Sequence, residues 1–275
     1  MKNLVSICFI LLTYSFSFSQ SNPDFKQPNL SFKKCVDDEN REKCFNTLIA
    51  NKLTNSVKTE IKNYLEINKD KDYVVNRASF VVGENGKALI ESIQTTNSKN
   101  TEVGNKLKRA ILDLPEFSVR KNEYNHSLLS YYTIGIKNGI DKNNEVIVLD
   151  INNKEKKQPN NSNQTNPIYP GCKSKDNEEL KKCLSYNVSK IVGSNFKSKK
   201  ALKRFKKKGS FYIYVLFAVD ENGKLSNLKA FGPNKNFEKQ ALSALKKVKK
   251  ITPGTKNGKN IKVFYSLPIK LKVAK

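Results

Sequence analysis

One histidine, His126, is all that the chain of 275 residues holds. That scarcity removes most Ser-His, Cys-His and histidine-based zinc arrangements. His126 itself sits in NEYNHSLL, where it reads as an exposed residue opening a strand. A glycine-rich phosphate loop is missing as well. Carboxylates are few, 25 against 51 Lys and Arg, which gives a formal net charge of +26. The adjacent acids, Asp37-Asp38-Glu39 and Glu178-Glu179, are better explained as charges at helix N-termini than as an acid–base pair. These absences predict a protein that is not an enzyme and holds no cofactor and no metal. Long apolar runs are missing too: past the N-terminus, no segment approaches the ~20 residues a membrane helix needs.

The N-terminus is the exception. Lys2 precedes the apolar run LVSICFILLTYSFSF, and Ser17-Phe18-Ser19 before Gln20 has the small-x-small form of a cleavage site. Residues 1–19 are expected to be a cleavable signal peptide that also removes Cys8. The expected location is the periplasm, with secretion or attachment to the envelope as the alternative. Four cysteines remain, Cys35, Cys44, Cys172 and Cys183, enough for two disulfides in an exported chain.

Two short stretches set the internal organisation. VGENGKALI at 82–90 returns as VDENGKLSN at 219–227, an offset of 137 residues. Cys35 to Cys172 and Phe80 to Phe217 repeat that offset of 137, and Cys44 to Cys183 is 139. Such constancy is the mark of a duplicated module. In the second copy Leu180, Cys183, Leu184, Val188, Ile191 and Val192 recur at helical spacing, behind Asp176-Asn177 as an N-terminus. FYIYVLFAV then puts Phe211, Ile213, Val215, Phe217 and Val219 on one strand face. The Asn222-Gly223 pair predicts a two-residue hairpin turn with φ > 0 twice. A second strand at 225–231, a helix through Phe237, Ala241, Ala244, Leu245 and Val248, and a strand alternating from Val263 to Val273 follow. The first copy offers Cys44, Phe45, Leu48, Ile49 and Leu53, and later Val103, Leu107, Ala110, Ile111 and Leu114.

The predicted fold is therefore α+β: two tandem α-β-β-α-β domains, each a small antiparallel sheet packed on helices. The first spans 33–151 and is the more degenerate; 152–168 is a polar linker; the second spans 169–275. Within the first, EVIVLDI at 145–151 is expected to fold back over the edge of LLSYYTIGI at 128–136, leaving only the second copy with a free edge. Cysteines nine or eleven apart on one helix would be at least ~13 Å apart at ~1.5 Å rise, beyond the ~7 Å a disulfide allows. Cys35 and Cys172 must then lie in loops folded back on the first helices, pairing Cys35–Cys44 and Cys172–Cys183.

The run KSKKALKRFKKKG at 197–209 is the densest charge. Lys199, Lys200, Lys203, Arg204, Lys206, Lys207 and Lys208 form a candidate patch for an anionic glycan, lipopolysaccharide or lipid surface. The plainer reading is a solvated loop or helix before a strand. No specific nucleic-acid partner is expected of an exported chain.

Tyr169-Pro170, GSFYIYVLFAVDENGKLSNLKAFG at 209–232, FEKQALSALKKVKKITPG at 237–254 and VFYSLPIKL at 263–271 occur in an order that resembles the C-terminal domain of TonB, the periplasmic energy transducer. The Tyr-Pro-Gly-Cys form is similar to the variant of Bacteroidetes-type bacteria. The likeness covers about 105 residues; the first copy shares the cysteine pair, the ENGK turn and the helix spacing, without Tyr-Pro or Pro-Gly. The resemblance implies that the last strand, at Val263, Phe264, Tyr265, Ser266 and Leu267, offers its edge to an envelope protein, such as a segment of an outer-membrane transporter. Pro268 fits an edge strand. The chain departs from the transducer in lacking a retained membrane anchor and a long Pro-rich spacer, so it reads as a detached binding module.

Overall fold

Helix starts are set by side chains that satisfy free backbone amides. Asn40 accepts from Lys43 N and begins α1 (Arg41–Ser56). Val57 breaks it, and α2 (Lys58–Ile67) follows, a helix the periodicity did not announce. Next come β1 (Val74–Val82), the two-residue β2 (Gln94–Thr95), α3 (Thr101–Leu112), β3 (Ser130–Ile140) and β4 (Val146–Asn152). The second half opens with β5 (Gln164–Thr165). Asp176 then accepts from Glu178 N and Glu179 N to start α4 (Asn177–Asn195). After α5 (Ser198–Ala201), β6 (Gly209–Val219) and β7 (Leu225–Phe231), Asn234 caps α6 (Lys235–Leu245). The chain closes with β8 (Gly254–Lys256), β9 (Lys259–Ile261) and β10 (Val263–Val273). This computed structural model describes residues 31–35, 37–95, 101–152 and 163–273. The expected signal peptide, at 1–19, lies outside them.

The fold is α+β, with two sheet–helix halves. The first sheet has the order β2-β1-β3-β4 and the second β10-β6-β7, all antiparallel. In the first half Phe80, Tyr132, Ile134 and Ile136 pack on Phe45, Ile49 and Leu53 of α1 and Leu107 and Ile111 of α3. In the second, Phe211, Ile213, Val215 and Phe217 with Tyr265, Leu267 and Ile269 pack on Leu184 and Val188 of α4 and Phe237 and Ala241 of α6. β4 pairs with β3 from Gly135 to Ile140, so the 145–151 run does cover that part of the β3 edge.

Two expectations change. The ENGK turns are not two-residue loops with positive φ at both positions; only Gly86 (φ 75°) and Gly223 (φ 77°) are left-handed. Gly223 N donates to Asp220 O, and Asp220 N to Lys224 O. This is a type I turn closed by a glycine bulge, and the Asp220 carboxylate holds it by accepting from Asn222 N and Lys224 N. The turn expected there lies instead at Asn257-Gly258, both left-handed, between β8 and β9. The polar linker is also shorter than 152–168. β4 reaches Asn152, and Gln164 and Thr165 pair with Lys256 and Thr255 in a small third sheet. Asn177 fastens this segment, accepting from Asn166 N at 2.6 Å and donating to Gln164 O at 2.8 Å.

The largest difference concerns the other face of β6. The sequence pattern singled out one face, Phe211 to Val219, yet Tyr214, Leu216 and Ala218 on the other are buried as fully as Ile213 and Val215. The two sheets lie against each other: Val81 and Leu129 of the first half form one cluster with Tyr214, Leu216 and Phe231 of the second. Tyr131 stacks on Tyr214 with ring centres 6.0 Å apart, and the Tyr214 hydroxyl donates to Leu129 O at 3.4 Å. The layers therefore run helices, sheet, sheet, helices.

Burial pushes the Tyr214 phenol up from its usual 10 to about 12, and it raises Tyr131, Tyr132 and Tyr265 as well. A phenol whose folded value lies above its unfolded one stabilises the fold fully below the unfolded value and loses that contribution as pH rises towards the folded one. Stability is expected to be flat with respect to these groups up to about pH 10, then to fall by up to roughly 1.4 kcal/mol per pH unit for each buried tyrosine. Urea melts across this range check it, and Tyr214→Phe should make the alkaline slope shallower.

Candidate strand-addition edge

β10 pairs with β6 along its whole length, from Val263↔Val219 to Val273↔Gly209. On its other side no strand pairs with it among the described residues. Its side chains alternate because one face meets the helices. Tyr265, Leu267, Ile269 and Leu271 are buried, with Tyr265 stacked on Phe217 at 5.4 Å. Phe264, Lys270 and Lys272 are exposed, Val263, Ser266 and Pro268 half-buried. Of the five residues expected to form the binding edge, then, only Phe264 presents a largely exposed side chain. Tyr265 and Leu267 have their side chains in the core and could offer only backbone.

Pro268 fixes the sense of the edge. It has no N–H, so it sits at a rung position whose N–H side would face away from β6. Residues of the same parity, including Phe264 and Ser266, then direct their N–H groups outwards. The first half differs, since β4 occupies much of the corresponding β3 edge.

The basic run is split. Phe205 is anchored between Phe211 and Phe237, at 5.2 and 4.9 Å, and Ala201 is buried. The segment is thus a strap pinned to the core rather than a free helix. Lys199, Lys200, Lys203, Arg204, Lys206 and Lys208 are exposed along it. Lys207 is not available in the same way: it pairs with Glu84, in the ENGK turn of the first half, at 2.7 Å. The adjoining backbone is held by the loop before β3. Asn122 donates to Lys208 O at 3.0 Å, and Ser210 N donates to Glu123 at 3.0 Å. The Glu123 carboxyl stays below the usual carboxylate range, chiefly through its own backbone N–H, with help from Ser210 and Lys270. His126, in the same loop, is half-buried with its ring on Phe211 at 6.2 Å, a packing role not foreseen.

Both disulfides form as paired in the sequence, with Cα atoms 5.8 Å apart for Cys35–Cys44 and 6.1 Å for Cys172–Cys183. Each ties a preceding loop to a helix, and loops of this length contribute about 3 kcal/mol in the chain-entropy picture. They suit an exported chain. Among the described residues no helix is long and apolar enough to cross a membrane. Among the same residues no three His, Cys, Asp or Glu side chains gather as metal ligands would. No protein-family model, curated protein or solved structure matches the chain.

Proposed function

We propose that the chain is an exported protein-interaction module, not an enzyme, which takes an extended segment of an envelope protein as an added strand on β10. The observation that carries this reading is the open side of β10, eleven residues long and, among the described residues, paired only with β6. Main-chain hydrogen bonds supply affinity in such an addition, and alternate side chains supply selectivity. The resemblance of residues 169–275 to the TonB C-terminal domain supports the same edge and suggests a periplasmic segment of an outer-membrane transporter as the partner class.

Phe264→Pro tests it. The substitution removes an outward N–H without removing a ladder bond to β6, so the fold should survive while the edge loses a donor. In a pull-down from solubilised envelope, Phe264→Pro is expected to lose the partner while Phe264→Leu, which keeps both the N–H and an apolar side chain, retains most of it. Capture untouched by Phe264→Pro and abolished by salt would overturn the reading. That result would favour the second one, in which the six exposed cations between Lys199 and Lys208 hold an anionic glycan or lipopolysaccharide.

A further inference from the structure

The first sheet has four strands and the second has three. They face each other in the same order. Lys229 of β7 donates to Glu91 O, next to β2. Tyr214 of β6 stacks on Tyr131 of β3, and Ser266 of β10 flanks the same Tyr131 phenol. β7, β6 and β10 thus run across the first sheet from the β2 side towards the β4 side, and β10 ends the series over β3. Continued by one strand, the series would set a strand added to β10 over β4.

Three of the exposed apolar side chains, among others elsewhere on the surface, lie on the faces turned to that place. Ile147 and Leu149 of β4 are 36% and 47% exposed, and Phe264 of β10 is 51% exposed. Leu149 lies on the sheet face turned to the second half: a Cβ on Gly139, whose side of the sheet is that of Tyr131, would come within 2.6 Å of its Cδ1. Phe264 pairs with Ala218, on the Tyr214 face of β6, so it points back towards the first half. β3 and β6 run in the same direction, since His126 lies on Phe211 and Tyr131 on Tyr214. Continuing that match brings Gly135 to the level of the Ala218–Phe264 rung. The β4 partner of Gly135 is Asn152, with Asp150 and Leu149 just beyond.

We infer that the partner strand is received by both halves: β10 is the wall that bonds its backbone, and the outward face of β4, at Leu149 and Ile147, is the floor that takes its side chains. This rests on the strand-addition reading. The chemistry of the segment follows. Its central side chains directed to the floor are apolar, matching Phe264, Leu149 and Ile147. Its ends are acidic, matching Lys262 before Phe264 and Lys272 near the far end, both exposed. The first half is then part of the recognition site.

The test is a fluorescence titration of the full exported chain with two synthetic labelled peptides. One alternates valine and threonine with glutamates at both ends; the other has lysine in place of valine and of glutamate. The first peptide is expected to bind and the second not. Leu149→Lys and the milder Leu149→Thr should weaken the first roughly tenfold or more, as loss of a buried leucine contact implies. Ile67→Lys, on α2, should leave binding unchanged, and thermal melts show whether each variant is folded. Binding lost with Phe264→Pro but kept with both Leu149 variants overturns the floor and leaves strand addition standing. Failure of both peptides, or binding indifferent to Phe264→Pro, overturns strand addition and the floor together.

Discussion

Leu216→Asp is expected to cost about 4 kcal/mol or more, enough to unfold a chain of ordinary stability. The residue is 0% exposed and sits on the face of β6 that a lone three-stranded sheet would turn to water. Across the seam it meets Val81 and Leu129, and beside it on its own sheet lie Tyr214 and Phe231, none of which can balance a carboxylate. A buried acid without a partner stays neutral at a high energetic cost or opens the interface. Ile147→Asp is the control. It lies on the equivalent face of the first sheet but beyond the second half, so about 1 kcal/mol or less should be lost. Urea melts of the two variants separate a sheet packed against a sheet from a sheet facing solvent. Equal, small losses would show the halves apart in solution.

Gly223→Val is the second large effect, expected at about 3 kcal/mol or more. A Cβ at Gly223 would stand 1.8 Å from Ile251 O, and the residue is left-handed at φ 77°. The closeness is built in, because Ile251 N donates to Gly223 O at 2.8 Å and docks the segment after α6 onto the turn. The first half repeats the device: Phe117 N donates to Gly86 O at 2.8 Å, and a Cβ on Gly86 would lie 2.6 Å from Phe117 O. Gly258→Val separates strain from clash. Its φ is 75°, yet a Cβ there meets nothing within 4 Å, so only the backbone strain of about 1–2 kcal/mol is expected. Thermal melts of both variants check the difference.

The parts of the fold that depend on nearby residues were legible in the sequence. Asp176 capping α4, the faces of α4 and α6, the two cysteine pairs and the β3–β4 hairpin follow from spacing and turn chemistry. What was missed depends on partners distant in the chain. The run FYIYVLFAV is apolar on both parities, the pattern of a strand buried on both faces. Attention to Phe211, Ile213, Val215 and Phe217 alone left Leu216 without a role. Lys207 was grouped with its neighbours because nothing local distinguishes it; its partner, Glu84, is 123 residues away. Exposed Phe264 was legible as an edge residue. The floor at Ile147 and Leu149 was not, because it depends on how the sheets are laid over one another.

That arrangement has a consequence in time. A chain is made from its N-terminus. Folding commonly proceeds domain by domain in that order, and exposed apolar surface makes the waiting state prone to aggregate. Val81 and Leu129 can be in place well before residue 209 has emerged, and they are covered only when Tyr214 and Leu216 arrive. The first half is therefore left with a wet apolar face for as long as the second half is unmade. The interval between the two is the moment at which this protein is most exposed to its neighbours.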